Sequence, residues 1–383
     1  MEEGTNKMKV LQVINGEFYS GAERVQDLLA IGLGRIGIDT GFACIKPDRF
    51  PSQRMAQDVP LYEVPMRGRL DLGCAARLAR IVREEGYHLI HTHTPRAALV
   101  GRIASLLTGV PMVHHVHSPT ARDTEAGMRN RINTIAERLS LLGVKRLIPV
   151  SRSLEGYLVE EGYSRDIIRA VPNGVPTPGP LPARAAPSDE WVIGVVALFR
   201  PRKGIEVLVE AASLLKKAGQ RFRIHAVGGF ETPEYEASIK ALAQQMGVTD
   251  CIDWIGFTRD VDAEFAKMDV MVLPSLYGEG MPMVILEAMA TGVPVVSSEV
   301  EGVPEVLEQG VTGLMVAPGQ AAPLADALLA LMKGQYDWAA MRACAYDAQV
   351  ERFSDDSMAG GVAQVYRELL PNAGMTRGMV TPR

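Results

Sequence analysis

The chain of 383 residues has only four cysteines, Cys44, Cys74, Cys251 and Cys344, and no two of them stand in C-x-x-C spacing. That absence argues against a disulfide framework and a zinc module, and reduced thiols are expected. No apolar run approaches the roughly 18 residues that would span a bilayer. No stretch rich in Lys and Arg is interleaved with aromatics, so nucleic acid is not an expected partner. The N-terminus opens acidic and runs directly into the strand "KVLQVI", so no secretory leader is expected. What is present is globular in composition, with 47% hydrophobic and 22% charged residues. The length exceeds one ordinary core, and two domains or three are expected. The net charge of −5 is unevenly placed. Residues 1–172 hold 23 Lys+Arg against 19 Asp+Glu, and the remainder 17 against 26. Drift in surface composition explains this, and a basic N-terminal half also suits anionic ligands or an anionic membrane surface.

Short apolar strands alternate with helical segments along the chain. "KVLQVI", "TGFACI", "HLIHTH", "PMVHHVH" and "RLIPVS" read as strands, and "AERVQDLLAIGL" has helical apolar spacing. The alternation breaks at the Pro- and Gly-rich residues 173–190 and resumes with "WVIGVVAL", "FRIHAVGG", "CIDWIGF", "DVMVLPS", "VPVVSS" and "GLMVA". The pattern predicts an α/β protein of two doubly wound domains, residues 8–172 and 191–352, joined by the linker 173–190. A final helix, 355–371, is expected to pack back on the first domain. Ligands in such sheets bind beyond the C-terminal ends of the strands, and with two such domains the intervening cleft is the expected active site.

Two motifs invite a reading that their context denies. "GLGRIG" (Gly32, Gly34, Gly37) matches a dinucleotide fingerprint, but a helix precedes it and a strand follows, so these glycines should end a helix. "DVD" (Asp260, Asp262) resembles a metal-binding Asp-x-Asp, yet it stands just before a predicted helix, where capping is the better reading. The histidines cluster as His88, His91 and His93, and as His114, His115 and His117, at strand C-terminal ends. No carboxylate or cysteine lies nearby in sequence, so polar site residues are expected rather than a metal, with at least half of the six structural.

The stretch "LPSLYGEGMPMVILEAMATGVPVV" sets Glu279 in a loop and Glu287 within an apolar helix. Pro282 suits the first helical position. The loop residues Gly280 and Met281 then bring chain to a helix N-terminus suited to a diphosphate. A carboxylate there cannot bind phosphate, so Glu279 is expected to hold hydroxyls of the group attached to it. Glu287, buried and in need of partners, is expected at a ribose.

"EGMPMVILE" resembles the Glu-x7-Glu motif of the retaining family 4 glycosyltransferases, which have the two-domain GT-B fold. "YSGAERV", "HTHTPRAALVGR", "VHHVHS", "IPVSRSLEGYL", "VPNGV", "RPRKGIEVLVEAA", "WIGF", "GVPVVSS" and "VTGLMVAPG" resemble the same family in the same order. The resemblance implies that Gly21 approaches the donor diphosphate, and that His117 lies near the reacting carbon of the sugar. It implies Lys203 on the diphosphate, Glu279 on the donor sugar and Glu287 on the ribose. It also implies metal-independent chemistry without a cofactor, on a UDP- or GDP-linked sugar. Two positions depart from the family pattern. Leu198 stands where an arginine is usual, so Arg200 or Arg202 must substitute, and Glu301-Gly302 replaces Gly-Gly.

The expected function is retaining hexosyl transfer from a nucleotide sugar to a lipid-linked or saccharide acceptor in bacterial polysaccharide or glycolipid assembly. A nucleotide-sugar epimerase, a phosphorylase of related fold, or a non-catalytic sugar-nucleotide-binding protein are the alternatives. The segment 129–146 carries Arg129, Arg131, Arg138, Lys145 and Arg146 beside the apolar Ile132, Ile135, Leu139 and Leu142. It reads as a helix packed on the N-terminal sheet, or as a basic face that docks a cytoplasmic enzyme on the inner membrane surface.

Overall fold

The computed structural model describes residues 7–19, 21–68, 71–118 and 138–371. It divides into two units, residues 1–174 with 355–383, and residues 175–354. The first contains β1 (Lys9–Ile14), α1 (Gly21–Arg35), β2 (Asp39–Cys44), α2 (Phe50–Gln53), β3 (Leu61–Glu63) and α3 (Leu72–Glu84). It continues with β4 (Leu89–Thr92), α4 (Pro95–Thr108), β5 (Met112–Val116), β6 (Arg146–Pro149) and α5 (Arg152–Glu160). The second contains β7 (Trp191–Val196), α6 (Ile205–Lys217), β8 (Phe222–Val227), α7 (Pro233–Gln245), β9 (Ile252–Gly256) and α8 (Val261–Phe265). It closes with β10 (Val270–Leu273), α9 (Met283–Ala290), β11 (Val295–Ser298), α10 (Val303–Val306), β12 (Gly313–Val316), α11 (Ala321–Met332) and α12 (Trp338–Arg352). The chain ends its described course in α13 (Asp355–Leu369), which belongs to the first unit.

Each unit is built on six parallel strands, ordered β3-β2-β1-β4-β5-β6 in one and β12-β11-β10-β7-β8-β9 in the other. The strands are near-continuous apolar runs because helices cover both faces of a parallel sheet. Val10, Leu11, Val13 and Ile14 of β1 are all fully buried. Each such side chain contributes roughly 1.5–3 kcal/mol of burial. β3, the edge strand of the first sheet, was not anticipated, because three half-exposed residues carry no periodic signal.

In the first unit α1 packs on α13. Gly32 allows the approach, since a Cβ there would lie 2.7 Å from that of Ala359. Arg35 bonds both Asp355 and Asp356 at 2.7 Å. Gly34 falls inside α1, and Gly37 follows it at φ +80°, as expected of glycines that end a helix. Asp260 caps α8 by accepting from the Ala263 N–H at 3.1 Å. The Pro-rich segment is bound along the second unit. Gln349 donates to Val175 O at 2.8 Å, Tyr346 to Gly179 O at 2.8 Å and Arg342 to Pro182 O at 3.2 Å.

Candidate active site

Strand order reverses between β10 and β7, and the crevice beyond the C-terminal ends of two such strands is where doubly wound sheets hold ligands. The two loops that leave these strands are stitched together. The β7–α6 loop makes a single turn of 3-10 helix, Pro201–Lys203, and leaves it through Gly204 at φ +64°. A Cβ on Gly204 would lie 2.1 Å from the carbonyl oxygen of Pro274, so only glycine permits the approach. The Leu276 N–H donates to Arg202 O at 2.8 Å, and the Arg202 guanidinium donates to Gly278 O at 2.9 Å.

This stitching brings Lys203 to Glu279, and the two side chains form a hydrogen-bonded ion pair. Ser275 Oγ donates to the same carboxylate at 2.7 Å, and Arg202 stands 3.7 Å away. All three groups converge on Oε1 of Glu279, and Oε2 makes no hydrogen bond among the described residues. Burial pushes the Glu279 carboxyl pKa up, but Lys203 and Arg202, helped by Ser275, more than offset it and hold it below the usual value. Burial lowers the Lys203 pKa, and Glu279 opposes that shift only in part. Glu279 is therefore an ionised carboxylate, 5% exposed, with one unengaged oxygen.

Of the two arginines that could replace the missing one, Arg202 joins this cluster. Arg200 stands 3.6 Å from Glu231, although its charge still bears on Lys203. Leu198 is 45% exposed. Pro282 corrects the sequence reading by one position. It is the N-cap, in extended conformation, and α9 begins at Met283, because the chain turns into the helix only after the loop has crossed Gly280 and Met281. Glu287 lies in α9 and is buried.

Gly21 and His117 belong to the first unit, where Gly21 opens α1 and His117 follows β5. His91 and His93 lie beside His115 and His117 as a stack of imidazoles, with His115 and His117 ring centroids 4.6 Å apart. His93 Nε2 lies 2.6 Å from Gln12 Oε1, so it donates there, and its Nδ1 accepts from His117 Nε2 at 3.1 Å. The proton of His117 is thereby placed on Nε2, leaving Nδ1 as an acceptor. Tyr366 of α13 meets His91 Nδ1 at 2.6 Å. His91, His93 and His115 each offer a nitrogen within 4.8 Å of the others. Both His93 nitrogens are already engaged, whereas His91 Nε2 and both nitrogens of His115 make no hydrogen bond among the described residues. His114 is fixed by Thr92 at 2.8 Å and His88 by the Lys9 N–H at 3.0 Å, both structural roles.

Residues 19–178 match the profile described as Glycosyltransferase Family 4, and residues 182–349 that described as Glycosyl transferases group 1. A D-inositol 3-phosphate glycosyltransferase from Acidothermus cellulolyticus is 30% identical over 372 residues, covering 88% of this chain and 82% of its own. The chain belongs to the family 4 glycosyltransferases. The amylovoran biosynthesis glycosyltransferase AmsK of Erwinia amylovora is 33% identical over 199 residues, and that match spans about half of each protein, 50% and 48%. Anabaena HepE in complex with UDP superposes with a TM-score of 0.83 at 20% identity, over 94% of this chain and all of that one. That superposition shows the GT-B fold.

Sequence reasoning missed three residues of these two clusters. Ser275 precedes the glutamate by one turn of loop and carries no motif of its own. Gln12 and Tyr366 meet the histidine stack from 81 and 275 residues away. Only the strand periodicity of β1, which points Gln12 to one face among apolar neighbours, could have flagged the first.

The histidine stack has a consequence for acid stability. Burial holds His114 at about 3 and His117 at about 4, and His91, His93 and His115 well below 6.5. The unfolded chain therefore binds these protons first as pH falls below about 6.5, and stability is lost on the way down. Thermal melts from about pH 7.5 to 5 should show a falling Tm. His115→Leu should flatten that fall without lowering Tm at pH 7.5, because neither nitrogen of His115 has a partner. A Tm independent of pH over this range would contradict the neutral stack.

Proposed function

We propose that this glycosyltransferase moves a hexosyl group from a UDP- or GDP-linked sugar, with retention of configuration, to a saccharide or lipid-linked acceptor in bacterial polysaccharide or glycolipid assembly. The observation that carries this reading is Glu279. Its Oε1 is saturated by Lys203, Ser275 and Arg202, while Oε2 is left to accept from a sugar hydroxyl. The Lys203 ammonium has three protons and Glu279 takes one, so the others remain for a phosphate oxygen. As the glycosidic bond breaks, charge gathers on the departing diphosphate, and Lys203, Arg202 and the free N–H groups of α9 are preorganised to meet it. Glu287 is assigned to the ribose, Gly21 to the approach of the diphosphate and His117 to the neighbourhood of the reacting carbon. HepE is seen in complex with UDP and with UDP-glucose, which supports the donor, and AmsK of Erwinia amylovora is named for amylovoran biosynthesis, which supports the process.

Acceptor-dependent release of nucleotide from a panel of UDP and GDP sugars tests the reaction, and the anomeric coupling in the product tests retention. In Glu279→Gln, turnover should fall at least about tenfold, the loss of a charged hydrogen bond, while nucleoside diphosphate affinity is kept. Turnover equal to wild type would remove Glu279 from the sugar.

No divalent metal is assigned to the reaction, since Asp260 caps α8 and the positive charge at the diphosphate comes from side chains. Turnover should be insensitive to EDTA. Abolition by the chelator and recovery with manganese or magnesium would overturn this.

The enzyme is proposed to be cytoplasmic and peripheral on the inner membrane face. Residues 129–137 lie outside the described residues, and the neighbouring Leu139 and Leu142 are 61% and 60% exposed. Leu106 and Leu107, at the end of α4, are also exposed, and Arg102, Leu106 and Lys145 line one surface pocket. No helix among the described residues is long and apolar enough to cross a membrane. Each basic residue near an anionic surface adds about 1 kcal/mol, so attachment should be reversible and salt-sensitive. Co-sedimentation with anionic vesicles should occur at low salt, disappear at high salt and weaken in Leu139→Glu with Leu142→Glu. Absence of binding to anionic vesicles at low salt would leave the enzyme without this surface role.

A further inference from the structure

Glu301 is the only non-glycine residue with positive φ among the described residues, at +31°. Its Oε2 accepts from the Gly278 N–H at 2.9 Å and from the Glu279 N–H at 3.1 Å. The next residue completes the hold, since the Gly302 N–H donates to Glu279 O at 3.0 Å. A Cβ on Gly302 would lie 1.8 Å from Gly280 O, so the β11–α10 turn is pressed directly against the Glu279 loop. The main chain of Glu279 is thus gripped on both sides by one dipeptide, while its side chain faces Lys203 and Ser275.

We propose that Glu301 is a positioning residue for the donor sugar, fixing the backbone of Glu279 so that its free oxygen is presented to a sugar hydroxyl. A non-glycine residue at positive φ carries backbone strain that its surroundings must offset. The conformation persists here because two N–H groups converge on one charged oxygen. The nucleoside diphosphate is assigned to Lys203, Arg202 and the start of α9, not to the carboxylate oxygen that this grip presents. This inference rests on the reading of Glu279 as the sugar-binding carboxylate.

The test compares wild type with Glu301→Gly, Glu301→Gln and Glu279→Gln. Calorimetric titration uses UDP against UDP-glucose and GDP against GDP-mannose, and the quantity read is the gain in affinity that the sugar brings. In Glu301→Gly the UDP or GDP affinity should stay within about twofold, and the sugar gain should be largely lost. Amide hydrogen exchange over residues 276–282, which needs no donor, should accelerate in Glu301→Gly. Glu301→Gln keeps an acceptor oxygen and should restore both the sugar gain and the protection. If Glu301→Gly keeps the gain and the protection while Glu279→Gln loses the gain, the positioning role falls and the sugar reading survives. If Glu279→Gln keeps the gain, the sugar reading falls, and this inference with it. Tighter nucleotide binding in Glu301→Gly would make Glu301 an occupant that the donor displaces, and would also overturn the proposal.

Discussion

A carboxylate that is 5% exposed has to be kept charged and correctly aimed, and the second unit is arranged around that requirement at Glu279. Burying a lone carboxylate is costly enough that it would neutralise by taking up a proton. Lys203, Arg202 and the Ser275 hydroxyl prevent this, and they arrive from two different loops. Those loops can meet only because Gly204 lets backbone touch backbone at Pro274. The order of the strands sets the loops side by side in the first place. Remove the neighbouring of β7 and β10 and no local sequence could bring Lys203 to Glu279 across 76 residues.

The first unit uses the same sheet order to a different end. Its reversal falls between β1 and β4, and Gln12 of β1 meets His93 just past β4 there. Where the second unit concentrates charge, the first concentrates neutral imidazoles, which burial keeps unprotonated. The tyrosine of α13 closes that stack from the far end of the chain. Charge is thus reserved for the unit proposed to hold the diphosphate, and a ring of fixed tautomer for the unit proposed to face the reacting carbon.

How much of this could be read beforehand depended on the distance over which each feature is encoded. Alternating strands and helices are local, so both sheets were legible, apart from the three residues of β3. The burial of Glu279 and Glu287 was legible because both stand among apolar residues. The choice between Arg200 and Arg202 was not, because residues two apart in a turn face different ways and only the fold decides which one meets Gly278. Glu301 was opaque for a stronger reason. Its partners are backbone N–H groups 22 and 23 residues earlier, and a backbone donor leaves no mark in a sequence. Pro282 was misplaced by one residue because a proline satisfies the helix at either the N-cap or the first turn.

A crystal structure of this chain with an intact nucleotide sugar, UDP-glucose first, addresses the role of Glu279 most directly. Oε2 of Glu279 should lie about 2.6–3.2 Å from a sugar hydroxyl, with Oε1 still held by Lys203 and Ser275 and a second Lys203 proton on a phosphate oxygen. A bound donor whose sugar makes no contact with Glu279, or whose phosphate draws Lys203 away and leaves the carboxylate facing no hydroxyl, would contradict it.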